Sequence, residues 1–223
     1  MENNKEMKLL RLQRAEGKLL SESLYNVFIG LTLLWGILLN VLMATVLSPY
    51  ILRIDYRVVL VIYFVMSFGC AYLVYHSSSP ALSFLGFTGL AVAMGLLLTT
   101  YLTMFSGGTI YSAFLATGIV VVAMMLVSMF FPTFFLSLGR VLVLTLIGAI
   151  VIELIGGLLL HLPMGWMDYV VVVIFAGYVG YDWAKAQAYP KTLDNAIDSA
   201  ADIYVDIINI FIRILSIMGD KKD

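Results

Sequence analysis

The chain has 223 residues, 62% hydrophobic and 12% charged, with a formal net charge of -1 and a mean hydropathy of +1.00. A soluble domain averages about 45–50% apolar and about 25% charged residues, and surface shrinks too slowly with size for a chain this short to hide so much apolar area from water. A water-soluble globular domain is excluded, the lipid bilayer is the expected solvent, and no nucleic-acid partner is expected.

Residues 1–22 carry Lys5, Lys8, Arg11, Arg14 and Lys18 among Met7, Leu9, Leu10 and Leu12, the pattern of a short basic amphipathic segment on a membrane surface. The first apolar segment, about Tyr25–Leu47, is too long for a signal-peptide core of ~7–15 residues and is read as an uncleaved span. Ser48-Pro49 stops it, and Arg53, Asp55 and Arg57 form the next polar break. Five more segments follow at about Val58–Tyr75, Ala81–Phe105, Thr109–Phe131, Arg140–Leu160 and Trp166–Ala186, separated by breaks at His76–Pro80, Ser106–Gly108, Pro132, His161–Gly165 and Pro190. The last segment, about Ala196–Met218, is apolar but interrupted by charges, and residues 220–223 form a charged tail.

Most segments approach the ~20 residues that cross a ~30 Å hydrocarbon core at 1.5 Å per residue. Backbone groups in lipid must be satisfied within the segment, so helix is forced. The expected fold is an all-α polytopic bundle over residues 23–219, with about seven transmembrane helices and the last one central. Glycines inside the spans, such as Gly86, Gly95, Gly156 and Gly180, read as close helix packing. The single cysteine, Cys70, can form no internal disulfide and reads as a small packing residue.

Lysine and arginine near span ends set orientation. With the N-terminus inside and seven crossings, Lys5, Lys8, Arg11, Arg14, Lys18, Arg140, Lys185 and Lys191 lie inside, against Arg53, Arg57, Arg213, Lys221 and Lys222 outside. A last segment that re-enters would move three of those five inward. Both cases favour a cytoplasmic N-terminus.

Ionisable side chains within spans are functional candidates, because burying one costs at least ~2.5–3.5 kcal/mol on insertion scales. Here they are Glu153, Asp182, Asp202, Asp206 and Arg213, with polar Asn40 and Asn209. Asp202, Asp206, Asn209, Arg213 and Ser216 follow one another at spacings of four, three, four and three, which puts them on one helical stripe. That stripe either faces water on an interfacial helix or lines a polar cavity. The second is expected, since apolar residues cover most of the circumference. Asp182 either lies at the headgroup boundary near Lys185 or joins this site. Glu153 is either a tolerated protonated acid or an added cation ligand.

Tyr181-Asp182-Trp183 closes the sixth segment, and Tyr204-Val205-Asp206-Ile207-Ile208-Asn209-Ile210-Phe211 runs through the last, the two aspartates being separated by 24 positions. Together these resemble the C-terminal signature of the transmembrane Bax inhibitor motif family, including its bacterial members. The resemblance implies a central seventh helix, a bacterial plasma-membrane location, and an Asp182–Asp206 pair whose proton content gates a calcium-permeable leak. Some members carry a latch arginine after span two. Here the only basic candidate in that place is His76, which otherwise reads as a loop histidine.

Two carboxylates in one low-dielectric site cannot both ionise cheaply. Protonated, they can share a hydrogen bond; ionised, they attract a hard divalent cation such as Ca²⁺. The expected function is thus a pH-sensitive cation leak with Asp182 and Asp206 as sensor, gate and transient calcium ligands. Glu153, Asp202, Asn209 and Arg213 are cation-pathway candidates. No resident cofactor is expected beyond a calcium ion. The alternative is a non-transporting interaction protein that docks on a membrane protease. An enzyme is not expected: Asp206 lacks the Gly-x-Gly-Asp context of intramembrane aspartyl proteases, and no Gly-x-Ser-Gly, phosphate loop or metal-spaced His/Cys set occurs. Equal depth for the two aspartates needs a turn centred near residue 194, whereas Pro190 breaks the chain slightly earlier.

Overall fold

A computed structural model describes residues 18–219. The expected basic segment, with Lys5, Lys8, Arg11 and Arg14, and the tail at 220–223 lie outside the described residues. Among those described, all regular structure is helical: α1 (Glu22–Thr45), α2 (Ser48–Ile51), α3 (Tyr56–His76), α4 (Pro80–Leu102), α5 (Gly107–Phe130), α6 (Pro132–Ser137), α7 (Gly139–Glu153), α8 (Gly165–Ala188) and α9 (Leu193–Met218). A π-helical segment, Leu154–Leu159, continues α7. The chain is an integral membrane protein. By length and composition α1, α3, α4, α5 and Gly139–Gly157 can each cross a bilayer. The sixth and seventh expected segments are present as the more polar helices α8 and α9.

The breaks follow local chemistry. Ser21 caps α1 by accepting from the Leu24 amide at 3.3 Å, Asp55 caps α3 from the Arg57 amide at 2.8 Å, and Ser106 caps α5 from the Thr109 amide at 3.2 Å. Pro80 and Pro132 stand in the first turns of α4 and α6, where no intrahelical donor is needed. Thr192 accepts from the Asn195 amide at 3.2 Å, so α9 begins three residues before the expected Ala196. The expected fifth span runs as α-helix only to Glu153.

The chain divides into two compact units, residues 1–104 with 188–204, and residues 105–187 with 205–223. In the first, α3 buries little beyond Val59 and Val74 while Val61, Phe64, Val65, Phe68 and Tyr72 are exposed, an apolar face suited to lipid rather than water. At Gly86 a Cβ would come within 2.9 Å of the Cys70 carbonyl, so the absence of a side chain lets α4 approach the α3 backbone.

Polar groups on the first half of α9 are matched by hydroxyls and amides of this unit. Tyr75 donates to Asp202 at 2.6 Å, Ser83 to Asp194 at 2.7 Å, and Tyr204 to Asn40 Oδ1 at 2.7 Å. Asn40 Nδ2 donates to the Ala91 carbonyl at 2.9 Å, and the Tyr25 hydroxyl lies 3.3 Å from Ser199 Oγ. The Leu20 amide donates to the Lys191 carbonyl at 2.8 Å, and the Lys191 ammonium sits 4.7 Å from the centre of the Tyr25 ring. Burial pushes that ammonium below the usual lysine range, and Glu22 partly opposes the shift.

In the second unit, Ser128 donates to the Gly180 carbonyl at 2.6 Å and the Phe135 ring covers Gly180, so α5 and α6 both close on α8 where it lacks a side chain. A larger residue at Gly180 would collide with that ring.

Candidate carboxylate site and its clasp

Helix α9 is buried on its polar as well as its apolar side. Asp194, Asn195, Asp198, Ser199 and Asp206 are buried along with Ile203, Tyr204, Ile210 and Leu215. Of the expected stripe, Asp206 is buried and Asp202, Asn209, Arg213 and Ser216 are half-buried. The +4 spacing continues upstream of Asp202 through Asp198 to Asp194, which the sequence reading passed over by starting the segment late and following the stripe only downstream.

Within the second unit, Asp182 and Asp206 are 6% and 4% exposed. Asp182 accepts from Lys185 at 2.5 Å, an ion pair one turn along the same helix. The Lys185 ammonium also lies 5.2 Å from the centre of the Tyr181 ring. The basic residue beside Asp182 is thus its partner, and the carboxylate is buried within the protein. The Tyr178 hydroxyl lies in the field of Asp206, Asp182 and Lys185.

Further along the same two helices, Arg213 grips Glu153 with both terminal nitrogens, Nη1 to Oε1 at 2.5 Å and Nη2 to Oε2 at 2.9 Å. Its Nη1 also donates to Asp168 Oδ1 at 2.7 Å, while Ser216 donates to Asp168 Oδ2 at 2.7 Å. One guanidinium serves two carboxylates from α7 and α8. A bidentate pair of this kind fixes orientation as well as charge. Glu153 is therefore held by both of its oxygens on Arg213. Asp168 was missed because it opens the sixth segment, where a carboxylate reads as a helix-start residue.

Asp168 nevertheless belongs to a pattern. Asp168, Val171, Phe175, Tyr178 and Asp182 are spaced three, four, three and four, one stripe of α8. Asp206, Asn209, Arg213 and Ser216 repeat the spacing on α9. With Ser216 opposite Asp168, the antiparallel register puts Phe175 level with Asn209 and Tyr178 level with Asp206. Asp182 lies one turn further, about 6 Å along the axis. Asn209 donates to the Val205 carbonyl of its own helix at 2.8 Å.

Two other candidates lie in the first unit. Asp202 is held by Tyr75. His76 is exposed, stacks on Tyr72 with ring centres 4.3 Å apart, and meets the Tyr72 carbonyl at 3.2 Å. Its contacts stay on its own helix, and the residue of α3 that reaches an aspartate of α9 is Tyr75. Among the described residues, no group of three or more His, Cys, Asp or Glu side chains gathers to hold a metal ion.

The fold and the buried acidic stripe define a polytopic helical membrane protein whose last two helices carry ionisable residues inside the apolar body. The family described as inhibitor of apoptosis-promoting Bax1 matches residues 20–223, and the chain belongs to that family. It is similar to the inner membrane protein YbhL of Escherichia coli K12, 26% identical over 138 residues that cover 57% of this chain and 59% of the relative. The YbhL protein of E. coli O6:H1 matches to the same extent. The chain thus spans about 59% of the length of the curated relatives it matches.

Proposed function

We propose that the protein is a pH-sensitive cation leak, with calcium as the favoured cation, gated by Asp182 and Asp206 and performing no enzymatic step. The observation that supports this reading is the burial of both carboxylates on the polar stripes of α8 and α9. Family membership agrees with it. Carboxylates in such surroundings exchange protons and hard cations on the same oxygens. Lys185 neutralises Asp182 in the absence of a cation, so an entering ion competes with a tethered ammonium. Asp202 and Asn209 continue the polar stripe on either side of Asp206 and extend the cation path.

The test is calcium flux into proteoliposomes containing only this protein, across a pH series. The wild-type chain gives a flux that changes with pH. Asp206→Asn and Asp182→Asn each abolish the pH dependence, because either leaves one carboxylate without its like-charged neighbour. Asp202→Asn, held by Tyr75 a turn away, has the smaller effect. A double Asp182→Asn, Asp206→Asn variant with wild-type pH response overturns the mechanism. Absence of flux from the wild-type protein at every pH favours the interaction protein that docks on a membrane protease.

A further inference from the structure

We infer that Asp168 is a positioning residue for the aspartate site: through Ser216 and Arg213 it pins α9 against α8, and so fixes the axial level at which Asp206 meets the helix carrying Asp182. The inference rests on the leak reading only for its functional consequence; the pinning itself is a matter of geometry.

Asp168 receives hydrogen bonds on both oxygens, from Arg213 on one and Ser216 on the other, each at 2.7 Å. Two bonds from residues three apart on one helix face hold a rotation as well as a height. A single bond would let the helix pivot about it. Arg213 is in turn held by the bidentate grip of Glu153, so the guanidinium cannot follow a sliding α9 without releasing three bonds. Asp168 and Asp182 sit on the same stripe of α8, and Ser216, Arg213 and Asp206 on the same stripe of α9. A slip of α9 by one stripe position at the Asp168 end therefore shifts Asp206 by the same amount, about 5–6 Å. Between Asp168 and Tyr178 the α8 stripe offers only the buried apolar side chains of Val171 and Phe175, whose dispersion contacts are non-directional.

This role separates from simple stabilisation by its readout. In a Cys70→Ala background of the full chain, Phe175→Cys and Asn209→Cys are level on the two stripes, whereas Ile212→Cys is on another face of α9. A short bifunctional thiol reagent applied to membranes links 175 to 209 and spares 175 with 212. Adding Asp168→Ala, which removes both hydrogen bonds, lowers the 175–209 linking rate by about tenfold or more, at least the fold-change that one charge-assisted hydrogen bond produces. Asp168→Asn, which keeps the size and one acceptor, gives a smaller loss. Asp168→Glu restores most of the rate. Folded yield on size exclusion in detergent is followed in parallel, and the Asn and Glu variants carry the test if the alanine variant fails to fold. A linking rate in Asp168→Asn within twofold of the parent overturns the inference. In proteoliposomes Asp168→Asn shifts the pH midpoint of flux. If the wild-type protein shows no flux but linking still depends on Asp168, the leak reading fails and the positioning stands.

Discussion

The Glu153–Arg213–Asp168 clasp makes a prediction in which one substitution changes sign with its background. The side chains of Arg213 and Glu153 are 27% and 25% exposed and that of Asp168 14%, so interior-dielectric energies do not apply. A charge-assisted pair contributes about 1.5–3 kcal/mol when dry, and solvent screening brings a quarter-exposed one towards about 1 kcal/mol. Glu153→Gln removes half of the grip but leaves Asp168 as counter-ion, and costs about 1 kcal/mol on that scale. Arg213→Gln removes three hydrogen bonds and leaves two carboxylates facing one another without a cation, for a cost of about 2–3 kcal/mol. In the Arg213→Gln background, Glu153→Gln relieves the repulsion and recovers about 1 kcal/mol. The assay is reversible unfolding by sodium dodecyl sulfate in mixed micelles, followed by the fluorescence of the three tryptophans and run as a double-mutant cycle. Glu153→Gln with the same sign and size in both backgrounds would refute the shared-cation reasoning.

Two further outcomes follow from the rest of the molecule. Tyr204→Phe deprives the buried Asn40 Oδ1 of its donor and lowers stability by about 1–2 kcal/mol in the same unfolding assay, with double-mutant coupling to Asn40→Leu; coupling under about 0.3 kcal/mol counts against it. Cysteines introduced at the N-terminus are labelled only from the cytoplasmic side, given five basic residues ahead of the first span, and labelling of both termini from one side would exclude seven full crossings.

The helices built mostly of apolar residues were readable because lipid imposes a single rule on them: enough apolar length, bounded by caps and prolines. Asp55, Ser106 and Pro80 stand where breaks were expected and act as helix starts. What escaped the sequence reading were residues whose role depends on a partner far along the chain. Asp168 and Glu153 are 15 residues apart and on different helices, yet share Arg213. Nothing in the local pattern of either announces the other, because a salt bridge is made by side-chain reach across helices and not by periodicity. Asp194 and Asp198 could have been found by carrying the +4 spacing upstream. Tyr75 could not, since a tyrosine at the end of an apolar span reads as an interfacial anchor until its hydroxyl is found on Asp202.

The polarity of α8 and α9 has one physical origin. These two helices fall outside the set that length and hydropathy alone qualify to cross a membrane, although Asp206, Ala201 and Leu215 are all buried. A buried helix must satisfy each polar side chain from its neighbours, and here hydroxyls such as those of Tyr75 and Ser83 and the carboxylate of Glu153 meet the polar groups of α9. Ion pairs so arranged hold the helices at one register, and a partner removed from a buried pair leaves its mate uncompensated at a cost of several kcal/mol. In the same part of the chain Asp182 is engaged by the Lys185 ammonium one turn along α8, so its charge too is matched from a neighbouring side chain rather than from water.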